Sequence, residues 1–295
     1  MIRKFGQALR TAFHELRIND PLRMASATAF FTTFALPAIL IIFIQIFGLV
    51  LDPQTISDHL FEHLSDILGE PGVNQIKETL IGFRKLANNW FITIGGFIFL
   101  MFVATTLFKV IRDSLNQLWS IRVHPHSGVG FTLVGRLRSL AVIMLAGVLF
   151  LASLLVEGVQ ALLLDYINEV WKGSATFLYA ILNQLISTTI VIVWFTIVFR
   201  YLGNGHPTRK VAIAGGIFTG ILFTIGKLIL GLLLGYSNLD NVYGASGSFV
   251  LVLLFVFYAS FILYFGATFT YAWGELNNKP ITPGKNAYKY EMREV

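Results

Sequence analysis

The sequence contains no cysteine. Disulfides, thiolate nucleophiles, iron–sulfur clusters and cysteine-ligated zinc are therefore excluded. Charge is scarce as well: 13% of residues are Asp, Glu, Lys or Arg, against roughly a quarter in an ordinary soluble domain. That is too little to clothe the aqueous surface of a 295-residue globule. The chain also lacks the low hydrophobicity of a disordered segment, the glycine period of collagen and the dense basic runs of a nucleic-acid tail. No P-loop, G-x-S-x-G, G-x-G-x-x-G or D-x-D-like carboxylate pair occurs. Neither ATP hydrolysis nor hydrolase chemistry is written in a recognisable motif, and neither an enzyme nor a cofactor is expected.

What the chain has is apolar residues, 55% of the total with a mean hydropathy of +0.70. A transmembrane helix needs about 20 of them in succession. Six stretches qualify: Ala27 to Leu51, Trp90 to Phe108, Leu140 to Leu164, Thr176 to Phe199, Val211 to Leu234, and Ser248 to Trp273. No small-residue cleavage site follows the first, which reads as a retained span, and Pro37 inside it is expected to kink it. The expectation is an all-α polytopic membrane protein: an amphipathic segment 1–26, a six-helix membrane domain 27–273 with an outer helical loop 52–89, and a tail 274–295.

The net charge of +6 acquires meaning from its placement. Arg3, Lys4, Arg10, Arg17 and Arg23 precede span one; Lys109, Arg112, Arg122, Arg136 and Arg138 follow span two. Arg200, Arg209 and Lys210 follow span four, and Lys279, Lys285, Lys289 and Arg293 lie in the tail. The opposite side has only Lys77, Arg84, Lys85 and Lys172. The positive-inside rule then puts both termini in the cytoplasm of a bacterial inner membrane. Spread over four segments without interleaved aromatics, these basic residues argue against nucleic acid. The expected partners are membrane lipids and a lipid or small-solute substrate, with association of several copies left open.

Near the N-terminus, Phe5, Leu9, Ala12, Phe13 and Leu16 recur at helical spacing opposite Arg3, Lys4, Arg10 and Arg17. This describes a basic amphipathic helix on the inner leaflet, serving as the anchor of span one. The outer loop is expected to form two short helices divided by Gly69-Glu70-Pro71-Gly72. Within it, His59-Leu60-Phe61-Glu62-His63 matches H-x-x-E-H, a zinc-peptidase pattern. The plainer explanation is a short helix with Leu60, Leu64, Ile67 and Leu68 buried and His59, Glu62, His63 and Asp66 wet. No metal site is expected, His59 and His63 being weak candidates; His124 and His126 read as polar loop.

The informative residues are the polar ones inside spans. At about 1.5 Å per residue, Glu157 and Lys227 sit roughly 24 to 26 Å up spans three and five, at matching depth. Gln45, Asn183 and Gln184 fall near the same level, making a polar layer. Gly216, Gly220, Lys227 and Gly231 share one face of span five, and Ser153, Glu157 and Gln160 one face of span three. Gly216/Gly220 and Gly231/Gly235 are GxxxG pairs that permit close helix approach. Glu157 and Lys227 read either as a pathway or gate, or as a structural ion pair fixing helix register, or as Lys227 snorkelling to the outer interface. The segment from Tyr236 through Tyr243, Gly244 and Ser246 to Ser248 reads either as backbone dipping into a cavity or as an ordinary outer turn.

Asp20 with Ala25-Ser26-Ala27-Thr28-Ala29-Phe30-Phe31, Leu115-Asn116-Gln117-Leu118-Trp119, Gly226-Lys227 with Tyr236, Tyr243 to Ser248, and Gly266-Ala267-Thr268-Phe269-Thr270 together resemble the YihY/BrkB family. The likeness runs from about Asp20 to Trp273. It implies a six-helix bacterial inner-membrane protein with a link to serum resistance and virulence, and export of a lipid or solute as its activity. A ribonuclease label attached to the family is generally regarded as a misassignment. Thr268 stands where the family typically has Glu, so no proton or cation role passes to it. The functional expectation is a transporter, exporter or flippase working without ATP hydrolysis; the alternative is a non-catalytic envelope scaffold that binds partner proteins.

Overall fold

A computed structural model describes residues 2–49, 52–86, 90–124, 129–170, 175–236 and 247–290; the side chains of 157–170, 175–180 and 232–236 are among those outside that description. Its helices are α1 (Ile2–Ile18), α2 (Pro21–Phe47), α3 (Pro53–Leu86), α4 (Trp90–Leu118), α5 (Val129–Val170), α6 (Ala175–Ile197), α7 (Arg209–Tyr236) and α8 (Gly247–Leu276). A π turn, Val198–Leu202, extends α6. Six of these helices are long and apolar enough to cross a membrane: Pro21–Phe47, Ile94–Leu118, Leu133–Val156, Ile181–Leu202, Arg209–Gly231 and Phe249–Leu276. Each overlaps one of the six apolar stretches of the sequence, with ends displaced most at span two, which runs on to Leu118 beyond the expected Phe108, and at span three, which starts at Leu133 ahead of the expected Leu140.

The turn into α2 explains itself. Asn19 Nδ2 donates to the Glu15 carbonyl at the end of α1, Asp20 takes the left-handed conformation (φ 50°), and Pro21 begins the next helix where its missing N–H costs nothing. Pro37 lies buried inside α2, which continues past it to Phe47. α1 is more than an anchor for α2. Its Ala8, Ala12 and Leu16 are buried, and the two alanines pack with Phe269 and Ala272 of α8, while Phe13 stays 63% exposed.

α3 corrects one expectation. It is a single helix of 34 residues, with no interruption of the backbone at Gly69-Glu70-Pro71-Gly72. The division survives in its faces instead. Ile56 and Leu60 are buried before the break and Val73, Ile76 and Leu80 after it. At about 100° per residue the second group is turned by roughly 150° from the first. Packing against α2 and α8 supplies the burial that holds a proline-containing helix together.

Helix approach is set by glycine. A Cβ on Gly216 would strike Thr196 and one on Gly220 would strike Ile192, so α7 lies directly against α6. On another face of α7, Gly215 meets Thr270, and Thr219 meets Gly266, fastening it to α8. Gly231, expected in the same packing role, has nothing within 4 Å of where its Cβ would be, and Gly235 lies outside the described surroundings. Farther along α7, Gly226 abuts Tyr258 of α8, while α6 is exposed from Ile181 to Leu185.

Four short strands tie the face that carries both termini. β1 (Ile121–Val123) pairs antiparallel with β4 (Ala287–Lys289), Arg122 opposite Tyr288; β2 (Gly205–His206) pairs with β3 (Thr282–Pro283). His124 prolongs the first pairing, its N–H donating to the Asn286 carbonyl at 3.0 Å and its ring lying 5.0 Å from that of Tyr288, so it is not simple polar loop. His126 lies outside the described residues. The tail thus closes back over the connections that leave α4 and α6. Beneath it, Trp119 is fully buried and donates Nε1–H to the Ala267 carbonyl at 3.1 Å. Asn116 Oδ1 accepts from the Asn204 N–H at 2.8 Å, and Gln117 Nε2 reaches Asn19 Oδ1 at 3.4 Å.

Candidate functional site

A cavity of about 650 Å³ opens between the helices. Every described helix except α1 contributes to its wall. Its lower end is polar: Thr28 on α2 lines it and shares a hydrogen bond between hydroxyls with Tyr264 on α8. Thr28 is about two turns into α2 and Lys227 about five turns into α7. Both helices start at the face carrying the termini, so the cavity runs along much of the depth of the membrane domain. The wall between is apolar, from Phe108 on α4, Phe150 on α5, Trp194 and Phe195 on α6, and Phe223 on α7.

The polar residues come in helical pairs. Thr28 and Thr32 are four apart on α2, as are Asn183 and Ser187 on α6. Thr32 and Ser260 direct their hydroxyl hydrogens at the Thr28 and Val256 carbonyls of their own helices, at 2.7 Å each. Their oxygens are thereby left as acceptors toward the cavity. Gln184 Nε2 lies 3.3 Å from Thr188 Oγ1. Lys227, half-buried, is the basic side chain of the lining, and among the described lining residues there is no carboxylate. On the α6 side Asn183, Gln184 and Ser187 are exposed, and there the cavity meets the surroundings.

Of the residues singled out in the sequence, the structure brings Lys227, Asn183 and Gln184 together around this cavity, with Ser153. Gln45 is not among them; it is exposed on α2. The helical backbone runs through Glu157, Gln160 and Tyr236, but their side chains lie outside the described residues, and with them any pairing of Glu157 with Lys227. Tyr243, Gly244 and Ser246 fall in 237–246, also outside. Thr268 is buried and bonds the Phe265 carbonyl at 2.9 Å, a role within its own helix.

His63 is the surprise. The sequence places it on the wet face of a loop helix, yet it is half-buried, lines the cavity, and packs edge-on against Phe150 with ring centroids 5.7 Å apart. His59 goes elsewhere, its Nδ1 3.5 Å from Glu62 Oε2 on an exposed surface. Among the described residues no group of three or more His, Cys, Asp or Glu is placed to hold a metal. In the sequence His63 is marked only as part of H-x-x-E-H and Thr28 only as part of the segment entering span one, neither as a cavity residue; for Thr32, Ser187 and Ser260 the trace is the four-residue spacing of hydroxyl and amide side chains within apolar spans.

The model of the family described as Virulence factor BrkB matches residues 12–290. A UPF0761 membrane protein of Pseudomonas aeruginosa (strain LESB58) is 26% identical over 267 residues, covering 86% of this chain and 59% of the relative. One from Saccharophagus degradans is 24% identical over 251 residues, covering 84% of this chain and 55% of its own length. The chain therefore spans less than two thirds of these relatives. No solved structure matches.

Proposed function

This chain belongs to the BrkB family of membrane proteins, and from that premise we propose that it is a transporter, exporter or flippase that moves a lipid or small solute without hydrolysing ATP. The observation that supports this reading most is the cavity itself. It combines a basic side chain, amides and hydroxyls with a long aromatic and aliphatic wall, which suits a substrate with a polar, anion-bearing end and an apolar body. A volume of about 650 Å³ lies within the range of small-molecule sites, roughly 300 to 1,000 Å³. Its exposed residues on the α6 side offer a lateral way in from the membrane, and the Thr28–Tyr264 hydroxyl pair lies at the other end. A purely structural scaffold would have no need of a cation beside such a void. In this reading Lys227 attracts the substrate, Asn183, Gln184 and His63 orient it, and no residue acts as a catalyst. The membrane is the bacterial cytoplasmic one, with both termini inside, following the bias of Lys and Arg.

The test is reconstitution into liposomes with lipid-scrambling and solute-flux assays. Lys227→Met is expected to abolish or reduce at least tenfold the flux of an anionic substrate, a loss of about 1.4 kcal/mol or more. Glu157→Gln is tested beside it. If Lys227→Met matches the wild type in every detectable flux, the assignment of the cavity as the pathway fails.

A further inference from the structure

A second concentration of charge lies away from the cavity, toward the face carrying the termini. Arg112 on α4, Arg136 and Arg138 on α5, and Arg200 in the π turn are all half-buried, and none lines the cavity. Their guanidinium groups donate to uncharged acceptors. Arg112 bonds the Gly135 carbonyl at 2.9 Å, Arg136 the Thr105 hydroxyl at 2.8 Å, and Arg138 the Gly203 carbonyl at 3.1 Å and Asn204 Oδ1 at 3.2 Å; Arg200 bonds the Pro207 carbonyl. The Arg112 contact falls on the residue next to Arg136, and Arg138 and Arg200 reach the two ends of the stretch Gly203 to Pro207. The charges of Arg136 and Arg138 both act on Arg112, and those of Arg138 and Arg200 both act on His206.

Compensation is thin. Asp113 is the carboxylate felt by Arg112, and Lys109 stands beside it. The ion pairs among the described residues, Arg23–Asp20, His59–Glu62 and Lys289–Glu275, involve none of the four arginines. Half-buried guanidinium groups repel one another in a medium that screens poorly, and each keeps donors to spare, since a guanidinium has five. An anion placed among them relieves both conditions, and the planar fork of arginine fits phosphate oxygens two at a time.

What adjoins these arginines identifies the anion's carrier. The Arg136 guanidinium lies 4.7 Å from the centroid of the Phe102 ring. Phe102, Leu133, Val134 and Leu137 are 52 to 60% exposed, on spans Ile94–Leu118 and Leu133–Val156. Charge for a phosphate therefore sits directly against a surface for hydrocarbon. A free phosphate has no use for the second feature, whereas a phospholipid needs both.

We propose that Arg112 and Arg136, where α4 and α5 meet, with Arg138 beside them, bind the phosphate headgroup of an anionic phospholipid whose acyl chains lie along Phe102, Leu133 and Leu137. The site is independent of the transport reading, because it shares no residue with the cavity. It would hold a resident lipid at the edge of the bundle.

The experiment uses the full chain in nanodiscs of phosphatidylcholine and follows binding of labelled phosphatidylglycerol, with labelled phosphatidylcholine as reference. The wild type is expected to prefer phosphatidylglycerol by about tenfold, and Arg112→Gln or Arg136→Gln to lower that preference about fivefold each, at roughly 1 kcal/mol per basic residue. Arg10→Gln, on the exposed face of α1, is expected to leave it unchanged. Equal binding of the two lipids by the wild type overturns the proposal, as does an equal loss in Arg10→Gln, which would mark a general surface potential. Full displacement of phosphatidylglycerol by millimolar inorganic phosphate overturns it in favour of a soluble-anion site. Should the glutamine variants fail to fold, the wild-type comparison and the charge-keeping Arg136→Lys variant, expected to retain part of the preference, decide it.

Discussion

At the face carrying the termini, Trp119 is sealed between Gly203 and Gly205 and bonded to Ala267, whereas farther along the same bundle Asn183, Gln184 and Ser187 stand exposed beside a cavity. The first region is fastened by every means open to it: fully buried Leu115, Leu118, Ile121, Leu202 and Ile281, side-chain amides bridging segments, and two strand pairs that bring the tail back. In the second region the backbone-close packing of α7 on α6 at Gly216 and Gly220 gives way to the Phe195–Phe223 ring contact, and among the described residues no glycine contact is found at Gly231. The contrast teaches that, in this chain, tight packing and open volume are unevenly divided between the two regions.

Trp119→Ala should do the greatest damage to the first region. Loss of a fully buried indole costs about 3 to 5 kcal/mol, to be read as a large fall in the thermal unfolding midpoint of the purified protein. A loss no larger than that of an exposed substitution would abolish the distinction between the two regions. The glycines sharpen it in a second way. A Cβ on Gly203 would lie 2.5 Å from the Trp119 ring, so Gly203→Ala is expected to cost about 1 to 3 kcal/mol by overpacking. Gly231→Ala, in open surroundings within a helix, is expected to stabilise by roughly 0.5 to 1 kcal/mol. Opposite signs in the same unfolding assay are the outcome that supports the comparison.

The smallest effect is one of pH. Partial burial, then the charges of Arg138 and Arg200, hold the His206 imidazole below its ordinary value of 6.5. The folded protein therefore resists a proton that the unfolded chain accepts. This contribution to stability is at full strength above pH 6.5, weakens as pH falls below that value, and levels off once His206 is protonated in the folded state too. His206→Gln should flatten this part of the pH profile between neutral pH and about pH 5. An unchanged slope would show that His206 does not report on the arginines near it.

Much of the fold was legible because a bilayer imposes a long apolar run on every span, and six such runs stand out. Counting along helices at a fixed rise puts Glu157, Lys227, Gln45, Asn183 and Gln184 near one depth; Lys227, Asn183 and Gln184 line one cavity, whereas Gln45 is exposed on α2. Other features left no such trace. Strands of two and three residues are too short to carry a period, so the return of the tail onto Ile121–Val123 was invisible. Continuity of α3 through Pro71 depended on neighbours that bury both its halves. His63 shares its helix face with polar residues, and only the arrival of α5 and Phe150 makes that place a cavity wall.

The sequence by itself determined that the chain crosses a membrane, where the spans lie and which segments share a side, because hydrophobicity and charge act locally on each stretch of chain. Tertiary structure alone decided which polar groups meet. Lys227 with Asn183 across the cavity, Arg112 with Arg136 and Arg138 where α4 and α5 meet, and Trp119 with Gly203 depend on how helices rotate and approach one another. Those angles are set by contacts between residues far apart in the chain, such as Thr219 with Gly266 and Gly216 with Thr196, and no local pattern encodes them.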